Sequence, residues 1–303
     1  MSPRLKVRAD RHGVHLFDRT TGVNVLIDEV TPPRECWARA PRYVSMALTN
    51  ACELRCPFCY APKTPGRLEP DAVVRWVREL DSAGCLGVGF GGGEPTAHPD
   101  FADICGQVSA ETSLALTMTT HAHRIDERLA DALRGALHFI RVSVDAVGDD
   151  YERIRSRSFD ALRARIDTVA SISSFGINMV VGDDTLHQLD PVAAFAASCG
   201  AAELLLLPQQ PVPAKAGLTP AGAAQLAVWV RRYHGPLRLA ISRLGTPDGL
   251  PLADPFSLAE DSLRAHAHVD AAGYLRSDAY SLERVVIGDS ILDAADALQE
   301  RVS

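Results

Sequence analysis

Two rhythms of apolar and polar positions divide the chain. Residues 5–8, 14–18 and 23–28 alternate apolar with polar, the last only in part. His12-Gly13 and Thr21-Gly22 supply turns between them. Period-two alternation bounded by such turns predicts strands, here a small β-meander over residues 1–42. The stretch from Thr31-Pro32-Pro33 to Pro41 reads as a linker into the next unit.

From residue 43 onward, short apolar runs alternate with amphipathic stretches. The runs 44–48, 88–90, 114–119, 139–144, 178–181, 203–207 and 237–241 predict strands. The stretches 70–82, 99–108, 126–134, 159–173, 191–198 and 220–233 predict helices. Several open on a start signal, such as Pro70-Asp71 or Thr219-Pro220. This alternation implies βαβ units, a parallel sheet and an α/β fold class. At about 30 residues per unit, residues 43–244 hold six units, where eight would need about 250 residues. The remainder, 245–303, opens on the loop Thr246-Pro247-Asp248-Gly249. A hairpin around Ala272-Gly273, a short strand over 285–287 and an amphipathic helix over 291–302 follow.

The composition is globular, with 47% hydrophobic and 23% charged residues among 303. The 31 Lys and Arg against 38 Asp and Glu give a net charge of −7, which argues against a general nucleic-acid binder. No apolar run approaches the roughly 18 residues of a membrane span, and the first ten residues lack a signal-peptide core. A cytoplasmic location is expected, with neither nucleic acid nor membrane as partner.

The seven cysteines change the picture. Their number is odd, and Cys52, Cys56 and Cys59 fall within eight residues. Such clustering points to metal binding or catalysis rather than a disulfide framework. The spacing Cys-x3-Cys-x2-Cys directly follows the first strand of the alternating region. It therefore lies on a loop at the carboxyl end of the sheet, where ligands of parallel α/β folds collect. Three neighbouring thiolates favour a soft metal or an iron–sulfur cluster. A closed zinc site needs four ligands, and the loop offers no fourth Cys or His. A zinc knuckle completed by a distant His, or cysteines that merely pack, are the alternatives.

These residues resemble the radical S-adenosylmethionine superfamily, whose signature is Cys-x3-Cys-x-aromatic-Cys after the first strand of a partial (β/α)6 barrel. Phe58 stands at the aromatic position and Tyr60 follows the last cysteine. The resemblance implies one 4Fe–4S cluster on Cys52, Cys56 and Cys59, with an open iron that chelates S-adenosylmethionine. An electron from an external reductant, of flavodoxin or ferredoxin type, then cleaves the sulfonium to a 5′-deoxyadenosyl radical that abstracts hydrogen from a substrate C–H. The fold it implies is a partial TIM-like barrel with an N-terminal β-meander and a small C-terminal hairpin-plus-helix cap.

Two further motifs join it. Phe90-Gly91-Gly92-Gly93-Glu94-Pro95 is similar to the family's Gly-Gly-Glu-Pro, which meets the methionyl amino group; the resemblance carries that role to Gly92, Gly93 and Glu94. In Arg141-Val142-Ser143-Val144-Asp145, alternation puts Arg141, Ser143 and Asp145 on one face and both valines on the other. A polar barrel interior is costly unless it binds something. Ser143 and Asp145 resemble the family's Ser-x-Asp beside the cofactor ribose and carboxylate, although Asp145 also suits a helix cap.

Tyr151-Glu-Arg-Ile-Arg155 resembles a pattern of peptide-modifying members, in which the arginine reaches the cofactor carboxylate; a solvated helical Arg155 is the alternative. Where many members have Thr-Asn-Gly, this chain has Thr120-His121-Ala122. Thr120 keeps the cofactor role that the resemblance implies, and His121 is a candidate substrate acid or base or a structural histidine. Val181 suits the adenine. Asp183 and Asp184 suit caps of the next helix, and Asp183 is also a substrate candidate. The loop 208–215, with Gln209 and Lys215, is a candidate lid or substrate contact.

Cys85, Cys105 and Cys199 read as packing thiols. The C-terminal block resembles a remnant of the accessory module of peptide-modifying members, without its cysteines, so a single cluster is expected. The meander, the Tyr-x-x-Ile-Arg pattern and this remnant favour a peptide substrate, of the ribosomally made and modified kind. A small metabolite (a sugar, nucleoside or amino acid in natural-product biosynthesis) is the rival. A non-catalytic, cysteine-ligated metal-binding or electron-transfer protein is the remote alternative.

Overall fold

The charged residues of the N-terminal meander point inward. The computed structural model describes residues 5–250 and 262–302. In it, β1 (Lys6–Asp10), β2 (Gly13–Phe17) and β3 (Asn24–Ile27) form an antiparallel sheet. The register aligns Val7, Leu16 and Val25 in one row and Ala9, Val14 and Ile27 in a second row on the same face. These six lie outside the apolar core, and Val7 and Val25 are 59% and 48% exposed. The opposite face carries Lys6, Arg8, Asp10 and His15, all buried. Arg8 Nη1 donates to the carbonyls of Ala40 and Gly84 at 2.9 and 3.0 Å, and Arg42 Nη2 donates to Asp10 at 2.9 Å. Buried charges persist only when paired and hydrogen-bonded, so these contacts decide which face docks.

The second sheet holds β4 (Tyr43–Thr49), β5 (Gly87–Gly92), β6 (Ala115–Thr120), β7 (Phe139–Ser143), β8 (Phe175–Val181), β9 (Glu203–Pro208) and β10 (Arg238–Ile241) in sequence order, all parallel. Helices α1 (Pro70–Ser82), α2 (Phe101–Glu111), α3 (Glu127–Leu133), α4 (Gly148–Arg155), α5 (Phe159–Ile172), α6 (Leu189–Ser198) and α7 (Pro220–Arg232) connect them. This is the α/β, partial TIM-like arrangement expected. The strand faces toward the helices are apolar and fully buried, as at Val44, Met46, Leu116, Ile140, Met179 and Leu204. The other faces line a lumen with more polar content. Glycines occupy every lumen position of β5, and a methyl on Gly89 would fall on the Tyr43 hydroxyl, which bonds Thr117 Oγ1 at 2.8 Å.

After α8 (Ser262–Ala265), β11 (His266–Val269) pairs parallel to β4, and β12 (Tyr274–Arg276) and β13 (Val285–Val286) follow antiparallel. The hairpin thus extends the sheet beyond β4. The final helix α9 (Ile291–Val302) is tied to α1, where Glu79 accepts hydrogen bonds from Ser290 Oγ and the Ile291 N–H. Helix α4 is not among the predicted amphipathic stretches and is anticipated only in the alternative of a helical Arg155. Its mean hydropathy is low and Gly148 opens it at φ +56°, so the apolar periodicity gave no signal.

Candidate active site

The cysteine loop leaves the end of β4 and is pinched at its neck. Asn50 N–H donates to Gly66 O at 2.9 Å, Leu68 N–H donates to Leu48 O at 2.9 Å, and Asn50 Nδ2 donates to Thr64 O at 3.1 Å. Within the loop, Cys59 N–H donates to Cys56 O at 3.1 Å, closing a turn that gathers the last two thiols. Cys52, Cys56 and Cys59 are all free and half-buried. Leu54 N–H lies 3.4 Å from Cys52 Sγ, and Lys63 Nζ 3.4 Å from Cys59 Sγ. Cys52 and Cys56 line an open cavity of about 1190 Å³. Burial raises the pKa of both thiols; nearby Glu94 and Glu53 push Cys52 the same way, and Arg155 opposes it at Cys56.

Under this loop sits Glu94, 1% exposed. Its Oε1 accepts from Thr96 N–H at 3.2 Å, Thr96 Oγ1 at 2.7 Å and Thr120 Oγ1 at 2.8 Å. Its Oε2 accepts the His121 N–H at 3.0 Å. Gly92 and Gly93 make this approach possible. Gly92 has φ +119°, where L side chains strain, and a methyl on Gly93 would collide with Ala51 O and lie 2.6 Å from Asn50 O. Thr120 therefore stands behind Glu94 as its support.

His121 is 3% exposed, with Nε2 3.3 Å from Glu94 Oε2 and 3.4 Å from Glu53 Oε2. Glu53 went unnoticed in the sequence because it fills a variable position of the cysteine spacing. Its partial burial works the other way, but its own backbone N–H, His121 and Arg124 hold it below the ordinary carboxylate value. His123, also missed, bonds the Tyr151 hydroxyl at 2.8 Å, and burial, aided by His121, lowers its pKa to about 4.

Val142 and Val144 are buried toward the helices and Ser143 faces the lumen, as the alternation predicts. Asp145, 1% exposed, accepts Val180 N–H at 2.9 Å and Arg155 Nε at 2.6 Å. Arg155 is 8% exposed, which corrects the alternative of a solvated arginine. Although burial opposes its charge, Asp145 raises its pKa. Its guanidinium lies 5.6 Å from the Phe58 ring centre and Lys215 Nζ 5.7 Å from it, so two cations lie over that ring.

Val181 closes β8, fully buried, and its carbonyl accepts Gln209 N–H at 2.9 Å. Gln209 is buried within its own loop, its Nε2 bonded to Ala216 O. Lys215 pairs with Asp184 at 2.7 Å. Asp183 binds Thr219 at the start of α7, its Oδ1 2.7 Å from Thr219 Oγ1, so neither aspartate caps the helix that follows next. Tyr60 is 41% exposed and packs on Tyr280 at 5.2 Å, turned to the C-terminal segment. Cys85 and Cys105 are fully buried, and Cys199 packs against the core.

Among the described residues, one Cys/His/acid trio brings its ligand atoms within 4.8 Å of one another: Cys52, Glu53 and His121. The three thiols are spread more widely than that. The glycine cradle and the buried Glu94 suit a ligand that carries an ammonium group.

A thiol-rich loop at the carboxyl ends of a parallel strand arc, with a buried carboxylate beneath it, defines a cofactor-dependent α/β-barrel enzyme. The radical SAM superfamily model matches residues 46–196, and the chain belongs to the radical SAM superfamily. It is a radical SAM enzyme, and its cofactors are S-adenosylmethionine and an iron–sulfur cluster.

The fold is similar to that of Streptococcus suis SuiB bound to S-adenosylmethionine, with a TM-score of 0.77 at 13% identity, covering 100% of this chain and 89% of that one. SuiB bound to the precursor peptide SuiA gives 0.76 at 12%, covering 99% and 89%. Native anSMEcpe with bound AdoMet gives 0.64 at 15%, covering 86% and 80%.

Proposed function

We propose that the enzyme modifies a peptide, with its cluster on Cys52, Cys56 and Cys59. The observation that carries the site assignment is Glu94: it is buried beneath the cysteine loop and held by donors from β6 and the glycine turn. Glu94 receives the ammonium group of S-adenosylmethionine, and Gly92 and Gly93 let that end of the ligand approach the backbone. Ser143 and the Asp145–Arg155 pair face the rest of it, and Val181 lies against the adenine. The cluster and S-adenosylmethionine supply, when bound, the one-electron cleavage that makes a hydrogen-abstracting radical, with the electron from a flavodoxin or ferredoxin. The protein positions the ligand and keeps water away from it.

Support for a peptide comes from SuiB, solved with its precursor peptide SuiA. It comes also from the meander, whose β3 pairs, among the described residues, only with β2 and whose outer face is apolar, features suited to strand addition. We assign residues 1–42 to this module, 43–244 to the barrel and 245–303 to the cap. No helix among the described residues is long and apolar enough to cross a membrane, and we place the enzyme in the cytoplasm.

The test is anaerobic reconstitution, reduction and incubation with S-adenosylmethionine and short peptides encoded beside its gene. 5′-Deoxyadenosine and a mass change in the peptide are expected. An unchanged peptide beside turnover of a small metabolite would overturn the substrate class.

A further inference from the structure

His121 Nδ1 accepts the His123 N–H at 3.2 Å, which leaves the proton on Nε2. That N–H is buried and makes no well-formed hydrogen bond: Glu94 Oε2 lies 3.3 Å and Glu53 Oε2 3.4 Å away. One donor is shared by two carboxylates and satisfied by neither. Glu94 Oε1 already has three donors and Oε2 only one, the His121 backbone N–H, so Oε2 is the atom with room for an incoming cation. The His121 ring occupies that place.

We propose that His121 is a positioning residue that holds the ammonium site of Glu94 when it is empty, and that Glu53 takes the His121 N–H when the ammonium arrives. This rests on the assignment of Glu94 to the amino group of S-adenosylmethionine. The Glu53 side chain, 25% exposed, stands beside Arg124 at 4.0 Å, so it is a second acceptor already in place. The exchange gives the buried N–H an acceptor of its own once the ammonium group takes Glu94, and an unsatisfied buried donor is costly.

The test is equilibrium binding of S-adenosylmethionine and of 5′-methylthioadenosine, which lacks the amino-acid end. Cluster-loaded, unreduced enzyme is used at one fixed pH. Glu53→Met removes the second acceptor and leaves His121 on Glu94, and its affinity for S-adenosylmethionine is expected to fall by about tenfold. His121→Leu removes the competitor and binds at least as well as wild type. In the Glu53→Met/His121→Leu double variant the loss disappears. His121→Asn, too short to reach Oε2, repeats the pattern should the leucine variant fail to load. 5′-Methylthioadenosine binds all variants equally. If Glu53→Met binds as wild type, or the double variant stays weak, the exchange is wrong. Glu94→Gln separates the underlying assignment: if it leaves S-adenosylmethionine binding intact, Glu94 is not the ammonium site.

Discussion

Asp145 and Arg155 form a buried ion pair, Arg155 Nε 2.6 Å from Asp145 Oδ2, that ties the exit of β7 to the end of α4. The other Asp145 oxygen receives the Val180 N–H of β8, so one carboxylate joins three elements next to Phe58. Removing one partner strands the other charge. Asp145→Asn should therefore destabilise the protein by about 3–5 kcal/mol. An Asp145→Leu/Arg155→Met double variant should recover most of that, short of the bond to Val180. Anaerobic urea unfolding of both variants checks this; a double variant as weak as the single would show that the pair is not the cause.

The glycines at the end of β5 and in the turn after it are not equivalent. A methyl on Gly93 would meet the Asn50 and Ala51 carbonyls of the cysteine loop, whereas one on Gly91 meets nothing within 4 Å. Gly93→Ala should displace the loop and lower cluster affinity by roughly tenfold or more, while Gly91→Ala should load normally. Iron content per chain after identical reconstitution measures both, and equal loading would refute the steric account.

The strand pattern carried the barrel well because its helix-facing positions are uniformly apolar, and Ser143 between two valines exposed a polar lumen face. The cysteine spacing and Gly92-Gly93-Glu94 were legible because their chemistry is local in sequence. What stayed hidden depends on distant pairs. Arg155 could be read as solvated, since its partner Asp145 is brought near only by the fold. Glu53 meant nothing until β6 placed His121 against it. In the meander, alternation predicted strands but not which face is buried; the Ala40 and Gly84 carbonyls and Arg42 decide that, and they select the charged face.

The seven cysteines separate by environment. Cys56→Ala should abolish both iron retention and 5′-deoxyadenosine formation. Cys105 is wholly buried in α2, so Cys105→Ala should keep its iron and lose only about 1 kcal/mol of stability. Iron analysis and urea unfolding distinguish them; iron retained by Cys56→Ala would remove it from the ligand set.

His268, on β11, sits behind Ser45, with its Nδ1 2.8 Å from Ser45 Oγ. Burial, with a smaller push from His266, lowers its pKa to about 4. In the unfolded chain the ring titrates near its ordinary value of about 6.5. Between those values the unfolded state binds a proton that the folded state refuses, so stability falls as pH drops through this window. Above the window both rings are neutral and the contribution is constant. From pH 7 to pH 5 the cost is roughly 2 kcal/mol. His268→Asn keeps a polar partner for Ser45 and cannot take the proton, so its urea midpoint should change less over the same interval. The remaining acid sensitivity belongs to other histidines with lowered pKa, such as His123 and His266. A variant that loses stability between pH 7 and 5 as steeply as wild type would clear His268 of the effect.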